Sequence, residues 1–274
     1  GKHDNALANL RRAAVAGRKH GAIGYLITDW GDGGHPQPLA VSYLPFLAGA
    51  ALSWCAKSFD EKLLVPVLER DVFYDSAGRL ANTAFALGLT HRKLGVVAPN
   101  ETPLGTVIAA PPPKQQELFC RNGLKWFAKI PPEKIRTTLQ EIAKLIVVLR
   151  RQARDCGGLP PLLNNEEPLN AAEDCRSPQH SRAFSQNASK RILILELNLA
   201  GRMAAQSCHY MLWQQALAKR KTKTAQQLAR EGIRELQSLE RDFKAYWPKR
   251  NKGTTAKCSP FLRWRIEDYR KSLC

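Results

Sequence analysis

Apolar positions recur at helical spacing along most of the 274 residues. From Asp4 to His20, the residues Ala6, Leu7, Leu10, Ala13 and Ala14 form one stripe, the signature of an amphipathic helix. Asp4 is placed to cap that helix and Gly21 to end it. The pattern then changes. Ala22-Ile-Gly-Tyr-Leu-Ile-Thr28 is almost wholly apolar, which is how a strand buried on both faces reads. It runs into Asp29-Trp-Gly-Asp-Gly-Gly-His35 and Pro36-Gln37-Pro38, where three Gly and two Pro predict a loop. Ser42 to Lys57 returns to a helical composition of Ala, Leu and aromatic residues.

No second strand of that quality follows. Asp60 to Val72 and Ser76 to Leu94 read as helices, the latter with Asp75 and Ser76 as caps. Residues 98–103 and 111–113 are breaks with a short helix between them. Lys114 to Lys129 and Pro132 to Arg154 are helical, with Pro132 in the first turn, where its missing N–H is not needed. Residues 157–185 are rich in Pro, Asn, Ser and Gly and read as irregular. Helices are predicted again over Ser189 to Lys219, Thr222 to Trp247 and Pro260 to Ser272. Ile192, Leu193, Leu195, Leu197, Leu199, Met203 and Met211 give the first of these a wide apolar arc, as in a buried central helix; Cys208 and His209 on it read as core. The pattern divides the chain into an αβα piece of an α/β unit over 1–57 and a helical domain over 58–274. A lone buried strand leaves backbone groups unpaired at about 1–3 kcal/mol each. Its neighbours are therefore expected outside this stretch, and the absence of an initiator Met at Gly1 fits truncation.

Charge changes the picture only a little. There are 42 Lys and Arg against 24 Asp and Glu, a formal net charge of +18. Twelve of the basic residues lie between Lys219 and Lys257 against four acids, with Tyr246 and Trp247 interleaved, so a nucleic-acid-binding helical protein is one alternative. A non-catalytic helical scaffold is another. Acids interspersed with Leu228, Ile233, Leu236 and Leu239 favour a solvated basic face over a phosphate track. No apolar run is long enough to cross a bilayer. The seven Cys are scattered, with no Cys-x-x-Cys and no zinc spacing, so neither a disulfide framework nor a metal is expected. Gly31, Gly33 and Gly34 match no dinucleotide or P-loop pattern, and no cofactor is expected.

The densest polar cluster ends the predicted strand: Asp29, Trp30, Asp32, His35 and Gln37. Parallel α/β proteins bind ligands at the carboxyl ends of their strands. A Trp face beside carboxylates suits a sugar, whose C–H patch stacks while its hydroxyls donate to the acids. The same residues also fit a core Trp flanked by turn-forming Asp.

The stretch from Gly21 to Pro38, with Ser42-Tyr43 and Trp54 after it, resembles the last strand and helix of the catalytic barrel in family-20 glycoside hydrolases, the β-N-acetylhexosaminidases. Trp247-Pro-Lys-Arg250-Asn251 is similar to a Trp-x-x-Arg-Asn stretch near the ends of some bacterial members. The resemblance implies a mainly α chain: the last strand–helix piece of a truncated (β/α)8 barrel followed by an α-helical domain. It implies that Trp30 lines the pocket for the terminal sugar and that Asp32 binds its hydroxyls, Asp standing where the family has Glu. Asp29, His35 and Gln37 are expected around the pocket mouth. The implied partners are an N-acetylhexosamine-containing glycan and the upstream barrel of the same polypeptide. The implied chemistry is substrate-assisted: the acetamido oxygen attacks the anomeric carbon, a Glu protonates the leaving oxygen, and the preceding Asp steadies the acetamido group. Asp60-Glu61 is the chain's one such dipeptide and reads as a helix start, so no catalytic residue is assigned in this chain.

Overall fold

The computed structural model describes residues 2–29, 36–75, 77–96, 102–112, 125–155, 178–252, 255 and 259–273, the side chains of 125, 126 and 178–188 excepted. Among these residues there are nine α-helices and no strand. They are α1 (His3–Lys19), α2 (Tyr43–Cys55), α3 (Leu64–Leu68), α4 (Leu80–Leu89), α5 (Pro103–Ala109), α6 (Pro132–Asp155), α7 (Pro178–Ala218), α8 (Thr222–Tyr246) and α9 (Pro260–Arg270).

The mainly helical class follows from the periodicity. On α6 the buried positions are Ile135, Thr138, Ile142, Ile146, Leu149, Gln152 and Ala153, and on α8 they are Ala225, Ala229, Gly232, Leu236, Leu239 and Phe243. Both series step by three and four and give one buried stripe. On α7 every residue from Leu193 to Leu199 is buried, so this helix is enclosed on all sides as its apolar arc predicts. With 41 residues it is roughly 60 Å long and runs through both apolar cores. One core packs Leu7, Leu44 and Ala48 against Leu68, Phe73, Leu80, Leu149 and Leu193. The other packs Leu104, Ile142, Leu199, Tyr210, Trp213, Leu236 and Tyr269. Residues from both sides of position 57 therefore share the first core.

Polar groups pin the long helices. Arg202 of α7 donates to Glu235 at 2.6 Å, to Ser238 at 2.9 Å and to Asp242, all on α8. Arg265 of α9 is 2% exposed and donates to the carbonyls of Val107 and Ala110 at the end of α5, satisfying acceptors that the helix leaves open.

Four local expectations change. Ala22–Thr28 has no regular structure, with a bend at Ile23, and Ile23 and Leu26 are 107% and 85% exposed, so the strand buried on both faces is not observed. No strand occurs elsewhere among the described residues to pair with it. Asp4 does not cap α1, which begins at His3 without a side-chain cap; Asp4 instead pairs with Arg92 at 2.8 Å. The helix expected over 60–72 breaks into a 3-10 turn at Glu61–Leu63, the short α3, and a widened π turn at Glu69–Phe73 that ends with Tyr74 left-handed (φ 51°). α7 begins at Pro178, inside the stretch expected to be irregular; residues 157–177 lie outside the described ones, as does most of the helix expected over 114–129.

Candidate functional site

α1 and α2 pack against each other through Leu7, Leu44 and Ala48, and the segment 22–28 lies over them. Tyr25 donates its phenol to the Leu10 carbonyl of α1 at 2.7 Å. The Ile27 side chain fills the space beside Gly49 of α2, where a Cβ would collide with it. Tyr25 and Ile27 are half-buried, while Gly24, Leu26 and Thr28 are exposed. The alternation of covered and open positions runs from Gly24 to Thr28 and does not include Ile23, which is exposed although it shares the odd register of Tyr25 and Ile27.

Beyond the segment, a hydrogen-bonded chain closes the loop. Gln37 Nε2 donates to Ser42 Oγ at 2.9 Å, and Ser42 Oγ donates to Asp29 Oδ2 at 2.5 Å. Of the five expected site residues, the structure thus brings together Asp29 and Gln37; Trp30, Asp32 and His35 lie outside the described residues. Ser42, which sequence reasoning did not assign to the site, is the link. It stands at the N-cap of α2 but makes no capping bond: its oxygen accepts from Gln37 and its proton goes to Asp29. A serine before a helix signals a cap, and that local signal conceals the longer-range role.

Directly behind this loop is a buried polar knot. Glu196 of α7 has a fully buried side chain, and its Oε1 accepts from Tyr246 Oη at 2.8 Å and from Arg250 Nε at 3.0 Å. Burial raises the Glu196 pKa, with Arg250 and Tyr246 opposing the rise. Its Oε2 has no hydrogen-bond partner among the described residues. The turn Leu39–Val41 packs on this helix, and Ala40 is 1% exposed. A sequence signal existed: Glu196 is the one charge in the apolar run Ile192–Leu197. A cavity of about 140 Å³ lies beside Gln37, between Pro36, Val41, Gly88, His91 and Ala204.

The other carboxyl pair of note is Glu69 with Asp75, beside an open pocket of about 620 Å³. Burial pushes Glu69 up to about 7. Its oxygens accept from the amides of Leu80 and Ala81, at 3.0 and 2.6 Å, and Asp75 accepts from Arg79 and Leu80 amides, Gln152 and Lys190. With all four oxygens engaged, the pair caps α4 and anchors α7 rather than offering an acid and a base. Asp60 likewise caps, accepting from the Lys62 amide at 2.9 Å. Among the described residues no group of His, Cys, Asp and Glu is arranged to hold a metal, and no helix is long and apolar enough to cross a membrane. Tyr246 and Trp247, the aromatics that a nucleic-acid reading needs for base stacking, are 2% and 9% exposed. Comparison with known protein families, with curated proteins and with solved structures finds no match to this chain.

Proposed function

We propose that the chain is the carboxy-terminal part of a glycoside hydrolase that removes terminal N-acetylhexosamine from glycans, and that it supplies sugar-binding residues to a barrel whose acid lies upstream. The observation that carries this reading is the segment 22–28, with Tyr25 and Ile27 seated on α1 and α2 and Leu26 fully open. A barrel strand has these two faces: one toward its own helices, the other toward the barrel interior. Unpaired, the open face exposes apolar side chains to water at about 25 cal/mol per Å². The resemblance to family-20 enzymes supplies the chemistry: Trp30 stacks on the terminal sugar, Asp32 accepts from its hydroxyls, and Asp29, Gln37 and His35 line the mouth. The substrate's acetamido oxygen is the nucleophile, and the proton donor is contributed by another strand.

The test joins this chain to the reading frame that precedes it and assays release of 4-nitrophenol from N-acetyl-β-glucosaminide and N-acetyl-β-galactosaminide. Hydrolysis that Trp30→Ala and Asp32→Asn weaken mainly through KM supports the reading. Failure to cleave either substrate overturns it.

A further inference from the structure

The loop that carries the candidate site is not held by its own neighbours alone. Three elements distant in sequence converge behind it: Glu196 from the middle of α7, Tyr246 from the last residue of α8, and Arg250 from the turn after it. Glu196 is fully buried, and a buried carboxylate with one oxygen unmatched is costly unless charged partners hold it. Arg250 provides the charge through Nε, its side chain still 26% exposed. The turn Leu39–Val41 packs on α7, the helix that carries Glu196, and Ala40 is buried there. Tyr43 also feels the charges of Arg250 and Glu196. The turn is thus seated on the helix of the polar knot, and the next link outward is Ser42, which holds Asp29 and Gln37.

We propose that Arg250 and Glu196 are positioning residues for sugar binding: their ion pair fixes the turn 39–43, and through Ser42 it sets Asp29 and Gln37 at the pocket mouth. The helical domain then acts on the substrate without touching it, and Arg250 in the Trp247-Pro-Lys-Arg-Asn251 stretch has a function beyond stability. The consequence for sugar binding rests on the glycosidase reading; the fastening of the turn does not. Positioned groups that meet the sugar equally in ground state and transition state affect KM and leave kcat alone.

The experiment has two arms. Hydrogen exchange on this chain compares wild type with Arg250→Ala, Arg250→Lys and Glu196→Gln. Exchange at Ala40 and Ser42 is expected to quicken by about tenfold in Arg250→Ala, while amides in the middle of α8 stay unchanged. Lysine is expected to restore part of the protection, since it can keep the single donor to Glu196. The second arm measures hydrolysis by the polypeptide extended upstream, where Arg250→Ala is expected to raise KM about tenfold with kcat within twofold. Glu196→Gln is the harsher change; if it does not fold, the partly exposed Arg250 decides. Unchanged exchange at 39–43 in Arg250→Ala overturns the proposal, as does a fall in kcat at constant KM. If wild type cleaves no N-acetylhexosaminide, the glycosidase reading fails, and the exchange arm still decides whether the turn is held from Arg250.

Discussion

Gly232 of α8 lies flat against the phenol ring of Tyr269 of α9, so close that a Cβ on the glycine would overlap the ring carbons. Tyr269 is 0% exposed and sits at the centre of an aromatic group, its ring centroid 4.8 Å from that of Trp213 and 5.6 Å from that of Tyr210. The ring has nowhere to retreat. On propensity alone, Gly232→Ala in mid-helix gains about 1 kcal/mol. Here overpacking at about 1–3 kcal/mol outweighs it. Gly232→Ala is therefore expected to lower the denaturation midpoint, and less so in a Tyr269→Leu background. Additive effects in that double-mutant cycle contradict the contact.

Two buried titratable groups pull stability in opposite directions with pH. His3 is 1% exposed, its Nε2 is 2.9 Å from the Val41 carbonyl, and burial lowers its pKa from 6.5 to about 4. The unfolded chain binds that proton more readily, so the stability His3 contributes is complete above pH 6.5 and is lost as pH falls toward 4. Glu69 is 6% exposed, and burial raises it from 4.5 to about 7. The folded chain holds that proton more tightly, so its contribution is complete below pH 4.5 and is lost as pH rises through 7. Each shift corresponds to about 3 kcal/mol. Urea unfolding at pH 5 and pH 8 separates them: Glu69→Gln is expected to gain on wild type at the higher pH, and His3→Gln to flatten the loss between pH 6.5 and 4. Parallel pH profiles for Glu69→Gln and wild type remove the assignment.

The helices with the cleanest period were legible almost to the residue. α6 was expected over 132–154 and spans Pro132–Asp155; α8 was expected over 222–247 and spans Thr222–Tyr246. Capping chemistry was legible where the partner is local, as with Asp60, and misleading where it is not. Asp4 turns to Arg92 because an ion pair outcompetes a cap of about 1 kcal/mol. The segment 22–28 illustrates a different limit. Composition marks it as a strand buried on both faces, but no strand forms there, because pairing and burial are properties of neighbours that a local pattern does not contain. The Glu196 knot shows a third. The lone charge in an apolar run is visible, yet its partners lie 50 and 54 positions away, and only the packing of α8 on α7 brings them together.

The exposed positions of segment 22–28 yield the sharpest test of how the chain is used. Ile23 and Leu26 are exposed and Ile27 is seated beside Gly49, so three neighbours in one segment are expected to respond differently to the same substitution. Ile23→Lys with Leu26→Lys is expected to change the unfolding free energy of this chain by less than about 0.5 kcal/mol, as for other surface changes. It is also expected to reduce binding of an apolar dye. Ile27→Lys removes the contact with α2 and is expected to destabilise the chain. In the polypeptide extended upstream, Leu26→Lys places an unpaired charge inside the barrel, at a cost of several kcal/mol, and folding or activity is expected to fail. If Leu26→Lys already destabilises the chain by as much as Ile27→Lys, both faces of the segment are covered and the barrel-strand reading of 22–28 falls. If the extended polypeptide tolerates Leu26→Lys, that side chain meets water in the assembled protein, and the barrel-strand reading of 22–28 falls as well.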